Sequence, residues 1–503
     1  MKKWITCFLI LVCLPLQVGC TTQNTIQWID GGVYQFVNAD GEQSLAASLF
    51  GLSDLASVAQ LETYDGSLNQ AWRLHLQEDG SYKLECMSNG YYLTVYRNSK
   101  KEGAVVSVAA EKDSDSQKWT LEQQGKTIII TSVSSSLVLG IKEEDQNGEE
   151  ETPQIVQQSS DSGKDQSWYC SMLDDGTTEF PMMLNVTGDI VQISCPEITK
   201  LNGVYYLFGD NRDGCGIRCS TDLITWEAID NAYTYKNGYV SSWMTEDVEN
   251  ADMWCPGIYK IGDTYYIYYA LTTIYSQRST IAIFTNTTLD PDDPDYEWVD
   301  GGAVISSYKG DAYNCIDPCV ITDQEGAVWL VFGSAWSGIK TVRLNAQTGK
   351  LLNPEDPELI SVASRIYGDR AIEGSYMFYR EGYYYLMAAV GIMEQGSYSN
   401  GIGRGESVTG PFYARDGVAM LDGGVKGGAT LLTEEKEEII MPGHCSVFED
   451  EDGTWYFVLE YFPTGVDAKL GISTIYWDEE GWPWTALTPD VLSLGNGSPY
   501  NGK

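Results

Sequence analysis

The chain has 503 residues, 43% of them hydrophobic and 12% aromatic, which is too long for one domain of the usual ~100–200 residues. So much aromatic surface excludes wholesale disorder. Asp and Glu number 71 against 31 Lys and Arg, a formal charge of −40; such a surface repels nucleic acid, anionic lipid and polyuronates, and leaves a neutral polymer as the fitting partner.

At the N-terminus Lys2 and Lys3 precede an apolar stretch from Trp4 to Leu16, shorter than a membrane span. The following Gln17-Val18-Gly19-Cys20 resembles a bacterial lipobox, in which the Cys is acylated, although Gln17 stands where Leu is usual. Residues 1–20 therefore read as an export signal ending in a lipobox-like motif. The expectation is a cell-surface lipoprotein, or plain secretion, with the membrane reached only through a lipid anchor at Cys20. Beyond this segment no apolar run is long enough to cross a bilayer. Of 12 cysteines, removing Cys7, Cys13 and Cys20 leaves an odd number, nine, so not all are paired. Small buried thiols explain them, and their spacings match no familiar metal-ligand pattern.

Over residues 30–172 a Gln-x-Trp triplet recurs at Gln70-Ala71-Trp72, Gln117-Lys118-Trp119 and Gln166-Ser167-Trp168, with the Trp residues 47 and 49 apart. Each follows short alternating strands such as Tyr92-Leu93-Thr94-Val95. Three equal units, each sending one large aromatic to a shared centre, predict a pseudo-threefold all-β core. This segment resembles the ricin-type β-trefoil lectin family. The resemblance implies sugar pockets built from an early Asp and a later aromatic platform in each repeat. Here those positions hold Ala46, Thr94 and Val138 or Leu139, and Glu62, Ala109 and Gln158. No repeat keeps both elements, so no sugar ligand is assigned to it.

Over residues 183–490 a longer repeat pairs a short strand with an aromatic-rich one. Its leading residues are Cys195, Cys255, Asp317, Glu373 and His444, spaced 60, 62, 56 and 71 apart. Strand periodicity dominates, and turns such as Asn202-Gly203 and Asp452-Gly453 join the pairs. Five such units predict a five-bladed β-propeller, so the whole is an all-β chain: a trefoil followed by a propeller. The inner strand of every blade faces the axis, so the five leading residues converge. Two carboxylates, Asp317 and Glu373, then share a centre with His444, one of two His residues in the chain. The other, His75, reads as a surface residue of the trefoil. Paired carboxylates at a convergent centre suit acid–base work on a glycosidic bond; a satisfied buried polar pair is the alternative.

Trp254-Cys255-Pro256, Asn314-Cys315-Ile316-Asp317-Pro318, the run from Phe332 to Ile339, Ile372-Glu373-Gly374-Ser375-Tyr376 and Pro442-Gly443-His444-Cys445 together resemble glycoside hydrolase family 43, more narrowly its endo-α-1,5-L-arabinanases. The resemblance implies an inverting hydrolase of α-1,5-L-arabinofuranosyl linkages in arabinan, a neutral plant cell-wall polysaccharide. Glu373 would be the general acid, and Asp317 the neighbour that raises its pKa and orients it. Trp254, Asn314, Ser334 and Trp336 would contact substrate. His444 matches a His near a cation on the axis, calcium or another, and no organic cofactor is implied.

One departure stands out. The family opens blade I with His-Asp-Pro, whose Asp is the general base, and here the same register reads Ser194-Cys195-Pro196. A thiol among acids stays protonated, so Cys195 is a poor base. In blade II the family's Trp-Ala-Pro-Asp becomes Trp254-Cys255-Pro256-Gly257. Three readings stay open: a replacement base, either Glu197 or a residue of the loop with Glu246, Asp247, Glu249 and Asp252; a surface protein that binds arabinan or a related glycan without cutting it; or Cys195 as a nucleophile, which the acidic setting disfavours. Trp226 and Trp298 read as packing.

Overall fold

The computed structural model describes residues 26–489 apart from 41–42, 48–58, 63–66, 143–153, 162, 212–213, 235–250, 274–275, 366–371, 393–397, 423–427 and 436–438. The export signal with Cys20, and Glu246, Asp247 and Glu249, lie outside the described residues. No helix among them is long and apolar enough to cross a membrane.

The first unit is a β-trefoil in which twelve short strands among the described residues, from Val33–Asn38 to Trp168–Asp174, form one continuous network. Its triplets are explained by packing. Trp72, Trp119 and Trp168 are fully buried. Their indole N–H groups donate to Leu45 O, Leu93 O and Leu139 O at 2.9, 2.9 and 3.2 Å, one equivalent carbonyl per repeat. The Gln side chains close the preceding loop. Gln117 accepts from Lys112 N and donates to Ala110 O, and Gln166 accepts from Asp161 N and donates to Ser159 O. A buried indole or amide needs such a partner, which fixes both residue types. Ala46, Thr94, Val138 and Leu139 are buried in the same core. His75 is partly exposed and pairs with Glu85 at 2.6 Å.

The second unit is a five-bladed propeller. Blade I is built on Ser194–Leu201, Val204–Asn211, Gly214–Ser220 and Thr225–Thr234, and blade II begins at Asp252–Ile261. Blade III starts at Cys319–Thr322, blade IV at Ile372–Arg380 and blade V at Gly443–Glu449. The blade strands run antiparallel in chain order, and Thr187–Gly188 adds a short parallel strand to the outer edge of blade I. Among the described residues blade V owns three strands, and the chain ahead of blade I completes it. Met183 and Val191 bridge to Ser473 and Lys469, and Leu184 N donates to Ile472 O at 2.7 Å. Trp226 is buried and Trp298 meets Phe208 edge to face at 6.0 Å; both pack the propeller.

Candidate active site

Four of the five inner strands break register at the axis. Pairing shifts between Ser194 and Glu197, Trp254 and Gly257, Glu373 and Tyr376, and Gly443 and Ser446. At each break one residue takes a left-handed φ: Cys195 (+50°), Cys255 (+51°), Gly374 (+56°) and His444 (+36°), with Asp317 (+56°) matching them just ahead of the blade III strand. For a side chain other than Gly this conformation costs about 1–2 kcal/mol, and such strain gathers at functional sites. The bulges re-aim these residues into the axis.

The register corrects the sequence reading in blade IV. Gly374, not Glu373, is the counterpart of Cys195, Cys255, Asp317 and His444; Glu373 pairs as Ser194, Trp254 and Gly443 do. Gly374 makes room for the His444 ring. A Cβ there would lie 3.1 Å from His444 Cγ and Nδ1, besides the strained φ. Gly374→Ala should therefore lose at least about 1–2 kcal/mol in a denaturant melt and lower activity by displacing His444.

The N–H groups freed at the bulges are taken up by carboxylates of neighbouring blades. Glu460 accepts from Cys195 N at 2.9 Å, Asp210 from Cys255 N at 2.6 Å, and Asp317 from Gly374 N at 2.9 Å. These contacts staple blade V to I, I to II and III to IV. Above them lies a cleft of about 560 Å³ lined by Cys195, Trp254, Asp317, Glu373, His444 and Tyr398, among others. Glu373 is held by two hydroxyls: Ser334 donates to Oε2 at 2.8 Å and Tyr398 to Oε1 at 2.9 Å.

Burial dominates the electrostatics. It raises Glu373 above the usual carboxylate range, and the charge of Asp317 raises it further, while the Ser334 and Tyr398 hydroxyls pull the other way. Asp317 is raised by burial, opposed by the Gly374 N–H. Burial also raises Asp210 and Glu460 and the thiols of Cys195 and Cys255, and it lowers His444 against the pull of Glu460 and Glu373. A carboxyl kept protonated in a polar cleft is equipped to donate a proton to a leaving oxygen.

Residues 191–483 match the family described as glycosyl hydrolases family 43, more than half of the chain. The chain belongs to that family. Residues 68–150 match the ricin-type beta-trefoil lectin domain-like family. Among curated relatives of the family 43 propeller, an extracellular exo-alpha-(1->5)-L-arabinofuranosidase of Cellvibrio japonicus is 32% identical over 58% of this chain and 86% of its own length. An extracellular endo-alpha-(1->5)-L-arabinanase of Bacillus subtilis is 30% identical over 57% and 86%. Among solved structures, the Cellvibrio cellulosa alpha-L-arabinanase complexed with arabinohexaose superposes with a TM-score of 0.53 at 31% identity, covering 59% of this chain and 96% of that one. A family 43 endo-arabinanase of Bacillus licheniformis gives 0.53 at 32%, over 60% and 99%.

Not every expected residue of this family 43 propeller lines the cleft. Trp254 does, and Trp336 is 40% exposed on a loop where Ala335 (+44°) and Trp336 (+33°) both have left-handed φ. Ser334 serves the carboxyl of Glu373. Asn314 is buried and absent from the cleft wall. Glu197 is also buried away from it and accepts from Ile258 N at 2.9 Å, so it is not placed to take a proton from water in the cleft. Asp252 is exposed and lines the cleft. Sequence reasoning missed Asp210, Glu460 and Tyr398. The two acids share one signal: each is the last residue but one of the second strand of its blade and pairs with the residue before the bulge, Ser194 or Gly443.

Proposed function

We propose that the protein hydrolyses α-1,5-L-arabinofuranosyl linkages of arabinan by inversion, with Glu373 as general acid and Asp317 holding its proton in place. What carries this reading is the buried Glu373 carboxyl, clamped by Ser334 and Tyr398 in a family 43 cleft, together with relatives named for arabinan linkages. The curated relatives named extracellular support export, and anchoring through an acylated Cys20 belongs to the same proposal. The net charge of −40 suits a neutral polysaccharide. Trp254 and Trp336 offer apolar faces to furanose rings.

Water must lose its proton for inversion. Cys195 does not serve, because burial holds its thiol well above the ordinary value. We assign this role to Asp252, the exposed one among the carboxylates that line the cleft. A second reading, favoured by the thiol at position 195, is a surface protein that binds arabinan without cutting it. Product analysis on linear 1,5-arabinan separates them. Hydrolysis that Asp252→Asn removes supports the first. Binding without products, with cutting restored by Cys195→Asp, supports the second. Neither cutting nor binding by the unaltered protein sinks the substrate assignment.

A further inference from the structure

The floor of the cleft holds an unusual donor set. Cys195 Sγ lies 2.7 Å from Cys255 Sγ, and His444 Nδ1 is 3.4 Å from the first sulfur and 4.0 Å from the second. The three donor atoms fall within 4.8 Å of one another. Asp210 stands beside them, its Oδ2 3.8 Å from Cys195 Sγ, and its Oδ1 is buried without a hydrogen-bond partner. A buried carboxylate oxygen left without a partner is costly. That oxygen, beside three clustered donors of metal-ligand type, asks for a cation among them.

The chemistry of the donors selects which cation. Calcium takes six to eight oxygen ligands, and two sulfurs and an imidazole do not fit it, so the expectation of axial calcium is not met by the residues present. Soft and borderline donors of this kind suit zinc-class ions. Tetrahedral zinc, with bonds of about 2.3 Å to sulfur and about 2.0–2.1 Å to nitrogen, places sulfur and nitrogen about 3.6 Å apart; the 3.4 and 4.0 Å separations bracket that value. It would hold the two sulfurs about 3.8 Å apart, so binding opens the crowded pair by about 1 Å.

We propose that Cys195, Cys255, His444 and the Asp210 carboxylate form a four-coordinate site for a zinc-class divalent cation on the propeller axis. The sequence supplies it by placing Cys at the left-handed bulge position of two adjacent blades and His at that of a third. The site stands independently of the substrate reading, since it is tested by metal rather than by sugar.

The full mature chain, purified under reducing conditions, is to be loaded with zinc, dialysed and assayed for metal, then reloaded with cobalt. About one equivalent of retained zinc and a thiolate-to-cobalt charge-transfer band are expected. Cys195→Ser and Cys255→Ser should each weaken the band and the double substitution should abolish it, whereas Cys219→Ser, a thiol of blade I away from the axis, should keep both. Asp210→Asn should keep the band and hold zinc at least 10-fold more weakly. Zinc lost on dialysis, or calcium retained in its place, overturns the proposal. So does a Cys195–Cys255 disulfide-linked peptide in a non-reducing digest of the unaltered protein, a readout that stands even where a variant fails to fold.

Discussion

Glu373→Gln should lower the rate of arabinan hydrolysis by about 10²–10⁴-fold, the usual contribution of a positioned general acid, with an unchanged thermal midpoint. Gln keeps the volume and can still engage Ser334 and Tyr398, but it has no proton to give. The accompanying pH profile carries more information than the loss itself. Glu373 acts in its protonated form, so kcat/KM falls on the alkaline side as pH rises through its raised pKa. Removing a hydroxyl that favours the carboxylate, in Tyr398→Phe, moves that limb to higher pH. Removing the neighbouring charge, in Asp317→Asn, moves it to lower pH, because the like-charge contribution is lost. Opposite displacements from two neighbours of one carboxyl are what a purely structural role would not produce; coincident limbs would refute the assignment.

The second large effect concerns stability. Glu197 is buried between blades, and burial pushes its pKa up to about 8, against hydrogen bonds from Ile258 N and Tyr376 that lower it. While protonated it carries no charge to desolvate. As pH rises past the ordinary Glu range the unfolded chain ionises first, so the folded state loses stability progressively until about pH 8. Glu197→Gln keeps the acceptor for Ile258 N and removes the titration. Its expected gain above pH 8 is a few kcal/mol in urea melts, vanishing below about pH 4, with hydrolysis retained. Loss of hydrolysis in this variant would instead return Glu197 to the list of candidate bases.

Much of the architecture was legible because its signals are local and repeated. Three buried indoles with equivalent carbonyl partners impose the Gln-x-Trp spacing, and every blade needs its own aromatic strand. The site was legible only as far as that repeat could be aligned by eye. Matching Glu373 to Cys195 placed blade IV one residue out, because a bulge inserts a residue that sequence similarity does not mark. Asp210 and Glu460 escaped notice for a related reason. They lie next to the ends of strands whose middles are apolar, and only cross-strand pairing shows that they meet the bulge N–H groups of the next blade. Tyr398 lies beyond Tyr383–Val390, in no motif, and reaches Glu373 through the fold alone. Cys195 and Cys255 shared a repeat position from the start, but their mutual approach, with His444 against both, is a property of curvature around the axis.

The bridges from Met183 and Val191 onto blade V have a practical meaning for anyone dividing this molecule. Met183 N also donates to Ser88 O, and Asn185 Nδ2 to Asn89 O, so the same few residues are clasp and hinge-pin at once. Cutting immediately before Ser194 would not release a free-standing enzyme; it would strip the clasp from Lys469–Thr474 and leave a bare sheet margin, the kind that recruits strands from other chains. A catalytic fragment that stays monomeric should therefore begin ahead of Met183, on the trefoil side of the junction.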